Sequence, residues 1–133
     1  MREYMLLIMN EGHSKAVFSD EQHRKFLNSC KEYISKLTQE RKLISAQPLL
    51  REGMVISGSK GAWKETAFDE SKEVQVGYYH IVAKDINEAI AIAKENPEFE
   101  FTRTARIEVR PLKTQEETIG YAYPKNVKVV HGL

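Results

Sequence analysis

Two stretches of this chain are apolar on both of the faces that an extended backbone presents. From Glu3 to Met9, Tyr4, Leu6 and Ile8 alternate with Met5, Leu7 and Met9. From Val74 to Ala83, Val74, Val76, Tyr78, His80 and Val82 share one face, and Gln75, Gly77, Tyr79, Ile81 and Ala83 the other. A period of two with apolar residues on both sides describes strands covered on both faces rather than on one. Whatever layer packs against the first face, a second layer must hide the other.

The rest of the pattern supplies one layer. Ser19 with Gln22 three residues on matches a capping box, and Asp20 and Glu21 suit the positive end of a helix dipole. His23, Phe26, Leu27, Cys30, Tyr33, Ile34 and Leu37 follow at helical spacing, predicting a helix that ends near Arg41. Asp85 and Glu88 repeat the capping pattern ahead of Ile86, Ala89, Ile90 and Ala93, until Asn96-Pro97 stops this second, shorter helix. Leu43–Leu50, Met54–Ser57 and Trp63–Phe68 read as strands, with turns at Arg51-Glu52-Gly53 and Gly58-Ser59-Lys60-Gly61. A last strand runs from Ala105 to Arg110.

This order predicts a ferredoxin-like α+β fold: an antiparallel sheet with two helices on one face. Two helices leave the second sheet face uncovered, and a face-to-face homodimer would hide it. Residues 1–112 form the expected domain. Residues 113–133 are a C-terminal extension, an edge strand or loose tail carrying Tyr121, Tyr123 and Val127–Val130.

The 133 residues suit one domain, and the net charge of +1 offers no field for a polyanion, so nucleic acid is not favoured as a partner. The longest apolar run, Met5–Met9, is far too short for a bilayer span and lacks the flanks of a signal peptide. A cytoplasmic protein without membrane contact is expected. The single cysteine, Cys30, cannot form an internal disulfide, which agrees with a reducing compartment.

His80 is the leading candidate for chemistry, because an imidazole on a doubly covered strand can titrate near neutral pH and serve as general acid or base. The competing reading is a histidine satisfied structurally by a carbonyl or side chain. His23, on the first helix, is the second candidate. Arg106, Glu108 and Arg110 share a strand face whose guanidiniums suit a carboxylate or phosphate, and Arg110, Arg106 and Glu70 form the expected substrate-binding set. Cross-strand ion pairing with Glu70, Glu73 or Lys72 is the alternative for the Arg106, Glu108 and Arg110 face. The four histidines, His13, His23, His80 and His131, show no zinc spacing, and neither a metal nor a cofactor is expected. Gly58-Ser59-Lys60-Gly61 lacks the length and the following helix of a phosphate-binding loop.

Phe68-Asp69-Glu70-Ser71-Lys72-Glu73, Gly77-Tyr78-Tyr79, Ile86-Asn87-Glu88-Ala89 and Ile107-Glu108-Val109-Arg110-Pro111-Leu112 occur in an order and spacing that resemble the YCII-related, or DGPF-type, domain family. The resemblance spans roughly residues 3–112 and implies a dimeric α/β barrel related to the ferredoxin fold. The family's name-giving tetrapeptide is absent, the corresponding positions reading Glu65-Thr66-Ala67-Phe68. Some relatives are thought to use a His-Asp pair with the histidine on the first helix; His23 is on that helix but about two turns early, and Cys30 lies nearer the matching place. Two functions follow as expectations. One is a small-molecule enzyme, with His80 or His23 as acid or base and Arg110 orienting an anionic group, in a cleft between the first helix and the sheet, near the dimer interface. The other is a non-catalytic ligand-binding or regulatory module, including a transcription accessory role of the kind some relatives have.

Overall fold

The computed structural model describes residues 1–12 and 18–124. Four strands form the main sheet: β1 (Arg2–Asn10), β2 (Leu43–Pro48), β5 (Val74–Ala83) and β6 (Arg106–Pro111), in the order β2-β5-β1-β6. Every neighbouring pair is antiparallel. This is the ferredoxin-like α+β sheet that the element order predicted. β3 (Met54–Ser59) and β4 (Ala62–Ala67) pair only with each other, as a hairpin arm inserted between β2 and β5. β7 (Gln115–Glu116) and β8 (Tyr121–Ala122) make a second small hairpin after β6.

Helices α1 (Asp20–Gln39) and α2 (Ile86–Lys94) cover one face of the sheet. Ser19 Oγ accepts the Gln22 amide at 3.1 Å, and the Gln22 side chain accepts the Ser19 amide at 2.8 Å, closing the predicted capping box. Asp85 caps α2 by accepting from the Glu88 amide at 2.9 Å. Buried Tyr4, Leu6 and Ile8 of β1 and Tyr79, Ile81 and Ala83 of β5 meet Tyr33 and Leu37 of α1 and Ala89, Ile92 and Ala93 of α2. Burying each of the large aliphatic side chains is worth about 1.5–3 kcal/mol. The Tyr33 hydroxyl donates to the Ile92 carbonyl at 2.7 Å, tying α1 to α2 inside this layer. No helix among the described residues is long and apolar enough to cross a membrane.

Three local features depart from the sequence reading. Ile8 pairs with Gly77 but Met9 with Gln75, so Val76 is an extra residue in β5. That bulge turns Val74 to the helix-covered side, opposite Asn10, where strict alternation had set it beside Tyr78 and His80. A four-residue helix, α3 (Glu98–Phe101), follows Pro97 where no element was expected. His23 and Leu27 are exposed despite their place on the apolar stripe of α1, whose buried members are Phe26, Tyr33 and Leu37.

Gly12 holds the end of the β1 loop against the Asp69–Ser71 turn. A Cβ there would lie 1.9 Å from the Glu70 carbonyl oxygen, so only glycine allows the approach. The C-terminus of α1 uses the opposite solution. Lys42 N–H donates to Leu37 O at 2.9 Å and Arg41 N–H to Thr38 O at 3.1 Å, which is a Schellman closure with Arg41 in the position that glycine usually takes. Its φ of 58° is left-handed, a strained conformation for a residue with a Cβ. Arg41→Gly is therefore expected to raise stability by about 0.5–1 kcal/mol, the relieved strain exceeding the added unfolded-state entropy. Urea unfolding midpoints of the two proteins check this, and an unchanged or lower midpoint for the variant would contradict it.

Candidate functional site

The face of the sheet turned away from the helices carries the candidate chemistry. Register sets it out in rows across the strands. Ser45, His80, Met5 and Arg110 form one row, Gln47, Tyr78, Leu7 and Glu108 the next, and Met9 and Arg106 lie beyond. Val82 and Glu3 are paired on the other side of the His80 row. The apolar members Met5, Leu7, Met9, Tyr78 and Val82 are all half-buried.

His80 Nε2 lies 2.8 Å from Glu3 Oε1, and both side chains are largely shielded, with 21% and 12% of their surface exposed. An ionised carboxylate can only accept, so Nε2 is the donor in this contact, and the tautomer that donates from Nε2 has its lone pair on Nδ1. His80 makes no other hydrogen bond among the described residues. This is the arrangement by which a carboxylate fixes the tautomer of an imidazole and leaves the other nitrogen for proton transfer.

The pair borders a cavity of about 520 Å³, lined also by Ile44, Val82, Leu112 and Tyr123. Its volume falls in the range of sites for small organic ligands, about 300–1,000 Å³. Ile44 owes its place to a second irregularity. Leu43 pairs with Ile81 and Ser45 with His80, which leaves Ile44 as an extra residue in β2, beside the cavity.

Glu3 was not singled out in the sequence. Alternation puts it on the face of Met5, and puts His80 on one face of β5, but only the pairing of β1 with β5 shows that the two meet. His23 cannot join them. Tyr79 packs edge to face on Tyr33 of α1 at 5.3 Å, so its neighbour His80 points to the opposite side of the sheet from α1. The expected cleft between the first helix and the sheet is corrected accordingly: the cavity that His80 borders lies on the helix-free face. Cys30, on α1, is half-buried and near enough to Tyr79 to help burial push that hydroxyl's pKa up.

The expected substrate-binding residues separate. Arg106 is engaged: its Nε reaches Glu73 Oε1 and Oε2 at 2.9 and 2.8 Å, its Nη2 reaches Glu73 Oε1 at 2.7 Å, and its Nη1 reaches Glu108 Oε2 at 2.9 Å. That is the ion-pairing alternative, made with Glu73. Glu70 sits exposed in the turn behind Gly12, where its backbone rather than its carboxylate makes the close contact. Arg110 is exposed and makes no hydrogen bond or ion pair among the described residues. It shares the row of His80 with one strand between them, a separation of about 10 Å at ordinary strand spacing. His13, His131 and Val127–Val130 lie outside the described residues. Among the described ones no group of three His, Cys, Asp or Glu is gathered as a metal set.

The Arg106 fork holds the Glu73 carboxyl below the usual carboxylate range, and the two carboxylates push the guanidinium's own pKa upward. A depressed folded-state pKa contributes stability that is present above the ordinary carboxylate pKa and lost as pH falls through the lowered value. Glu73→Gln is thus expected to lower the melting temperature at neutral pH and to converge with the parent protein in acid, once pH has fallen through the lowered carboxyl value. Melting curves between those limits test it, and a constant offset across the whole range would contradict it.

A search of curated proteins finds no match to this chain. The family model described as the YCII-related domain matches residues 2–113. That span includes all four strands of the main sheet, both covering helices, Glu3, His80 and Arg110. The chain therefore belongs to the YCII-related domain family.

Proposed function

We propose that this protein is a small-molecule enzyme in which His80, oriented by Glu3, acts as general acid or base on a small organic anion. The observation that carries this reading is the 2.8 Å contact between His80 Nε2 and Glu3 Oε1 at the wall of the cavity. A structural histidine needs a hydrogen-bond partner but no cavity beside it. Here the second ring nitrogen has no partner among the described residues, and space for a ligand lies next to the ring. Arg110, unpaired in the same row, anchors the anionic group through its guanidinium fork. Cys30 as the lone thiol suits work in the reducing cytoplasm.

The test is consumption of small carboxylates and phosphoesters from a metabolite mixture, followed by mass spectrometry. His80→Gln is expected to lower turnover by about 10²–10⁴-fold, the usual contribution of a positioned acid or base. Glu3→Gln should lower it less, because the ring remains but its orientation is lost. Turnover by His80→Gln at the parent rate overturns the proposal. Ligand binding without turnover in either protein favours the non-catalytic binding module instead.

The same face supports a homodimer. Met5, Leu7, Met9, Tyr78 and Val82 make an apolar strip that neither helix covers, and the β3–β4 arm adds exposed Val55, Ile56 and Trp63. Pairing two such faces about a twofold axis would place the His80 cavity near the interface. Light scattering is expected to give a mass about twice the 15.3 kDa of one chain. Leu7→Asp, which puts a charge in the middle of the strip, should give the monomer mass. A monomeric parent protein at micromolar concentration would refute the dimer.

A further inference from the structure

The segment after β6 returns to the cavity, and most of it lies beyond the 2–113 span of the family model. Its path is fixed by few contacts. Leu112 N–H donates to Glu3 O at 3.0 Å, so the chain leaves the sheet alongside the acidic member of the pair. Gly120, with a left-handed φ of 69°, turns the chain back into β8. Tyr123 N–H then closes on Thr114 O at 2.9 Å. Tyr123 and Pro124 thereby become walls of the cavity that Glu3 and His80 border.

The Tyr123 side chain is held at its polar end. Its hydroxyl donates to the Glu116 carboxylate, which also receives Lys113 Nζ at 2.8 Å. The Tyr121 ring packs against it edge to face at 5.3 Å. Despite these contacts 43% of the residue is exposed. An aromatic ring that is both fixed and exposed is a preformed contact surface, because binding to it costs little side-chain entropy. The same cavity is lined by the aliphatic side chains of Ile44, Val82 and Leu112. An aromatic ring and aliphatic groups in one lining suit a flat apolar body; Lys113 is the one Lys or Arg among the lining residues, and Arg110 lies in the row of His80 outside that lining.

We infer that Tyr123 is a specificity-determining residue and that the ligand is a small aromatic carboxylate. Its ring lies between Tyr123 and the aliphatic wall, and its carboxylate points toward the cationic side. This rests on the reading of the His80 cavity as the functional site and narrows the ligand class for it. Residues outside the shared domain thus choose what the shared pair acts on.

Inert probes separate binding from turnover. 3-Phenylpropionate and propionate carry the same carboxylate and differ by the ring. Titration of the full chain with each, followed by the His80 ring-proton NMR signals, is expected to show at least tenfold tighter binding of the aromatic probe. Tyr123→Ala should abolish that preference. Tyr123→Phe, which keeps the ring and loses only the hydroxyl contact to Glu116, should retain it within about threefold, since stacking area dominates. Melting temperatures of both variants serve as the folding check, and the Phe variant keeps the test sound if the Ala variant fails it. Equal affinity for the two probes, no binding of either, or an unchanged preference in Tyr123→Ala overturns the inference. A ring preference that depends on Tyr123, found together with parent-level turnover in His80→Gln, would retain the specificity role and discard the proton-transfer reading; the reverse pattern would do the opposite.

Discussion

Strand β1 is the reference for every other part of this molecule, and a single buried side chain fixes its register. Asn10, at the end of β1, is 1% exposed. Its amide nitrogen donates to Glu98 Oε2 at 2.9 Å and Thr102 Oγ1 at 3.0 Å, and its side-chain oxygen accepts from the Glu11 amide at 2.9 Å and the Thr104 hydroxyl at 2.6 Å. Its backbone carbonyl also takes Arg51 Nη2 at 3.1 Å, at the base of the hairpin arm. An amide with both donors and its acceptor satisfied avoids the cost of about 1–3 kcal/mol that an unpaired buried polar group carries. A one-residue slip of β1 would break all of these contacts and turn Glu3 to the helix side, away from His80. The node at one end of the strand thus holds the acid–imidazole pair at the other.

The faces and helix starts were legible in the sequence because they depend on local spacing. Tyr4, Leu6 and Ile8 are buried as alternation requires, and Ser19 and Asp85 cap the helices they were read to cap. What alternation cannot carry is a change of phase. The extra residues Val76 and Ile44 are ordinary β-branched strand residues, and nothing in their type marks a bulge. α3 is a single turn of Glu-Phe-Glu-Phe, too short for a helical period to be seen. Glu3 escaped notice for a different reason: a charged residue opening a strand is commonplace, and its meaning lies in a partner 77 positions away.

Arg106 and Arg110 show the same limit at the site. They lie on one strand and one face, two residues apart, and residue type alone gives them equal claim to an anion. The difference comes from across β1. Arg106 is in the row of Met9, within reach of Glu73 where β5 begins, and its planar fork is filled by carboxylates of the chain itself. Arg110 is in the row of Met5 and His80, where no carboxylate meets it among the described residues. Distance along the strand decided which guanidinium is free.

The sheet also separates two kinds of titratable group. On the helix side, burial pushes the hydroxyls of Tyr33 and Tyr79 well above their ordinary pKa, so they remain protonated, and Tyr33 acts as a fixed donor to α2. On the other side, Glu3 and His80 sit at a cavity wall, where a ligand can reach them. Even-numbered residues of β1 therefore carry packing, and odd-numbered ones carry the open face. Because the two sets share a backbone but not an environment, a segment added beyond residue 113 can wall the cavity with Tyr123 without touching the core. That separation leaves the fold independent of which residues beyond the domain border the open face.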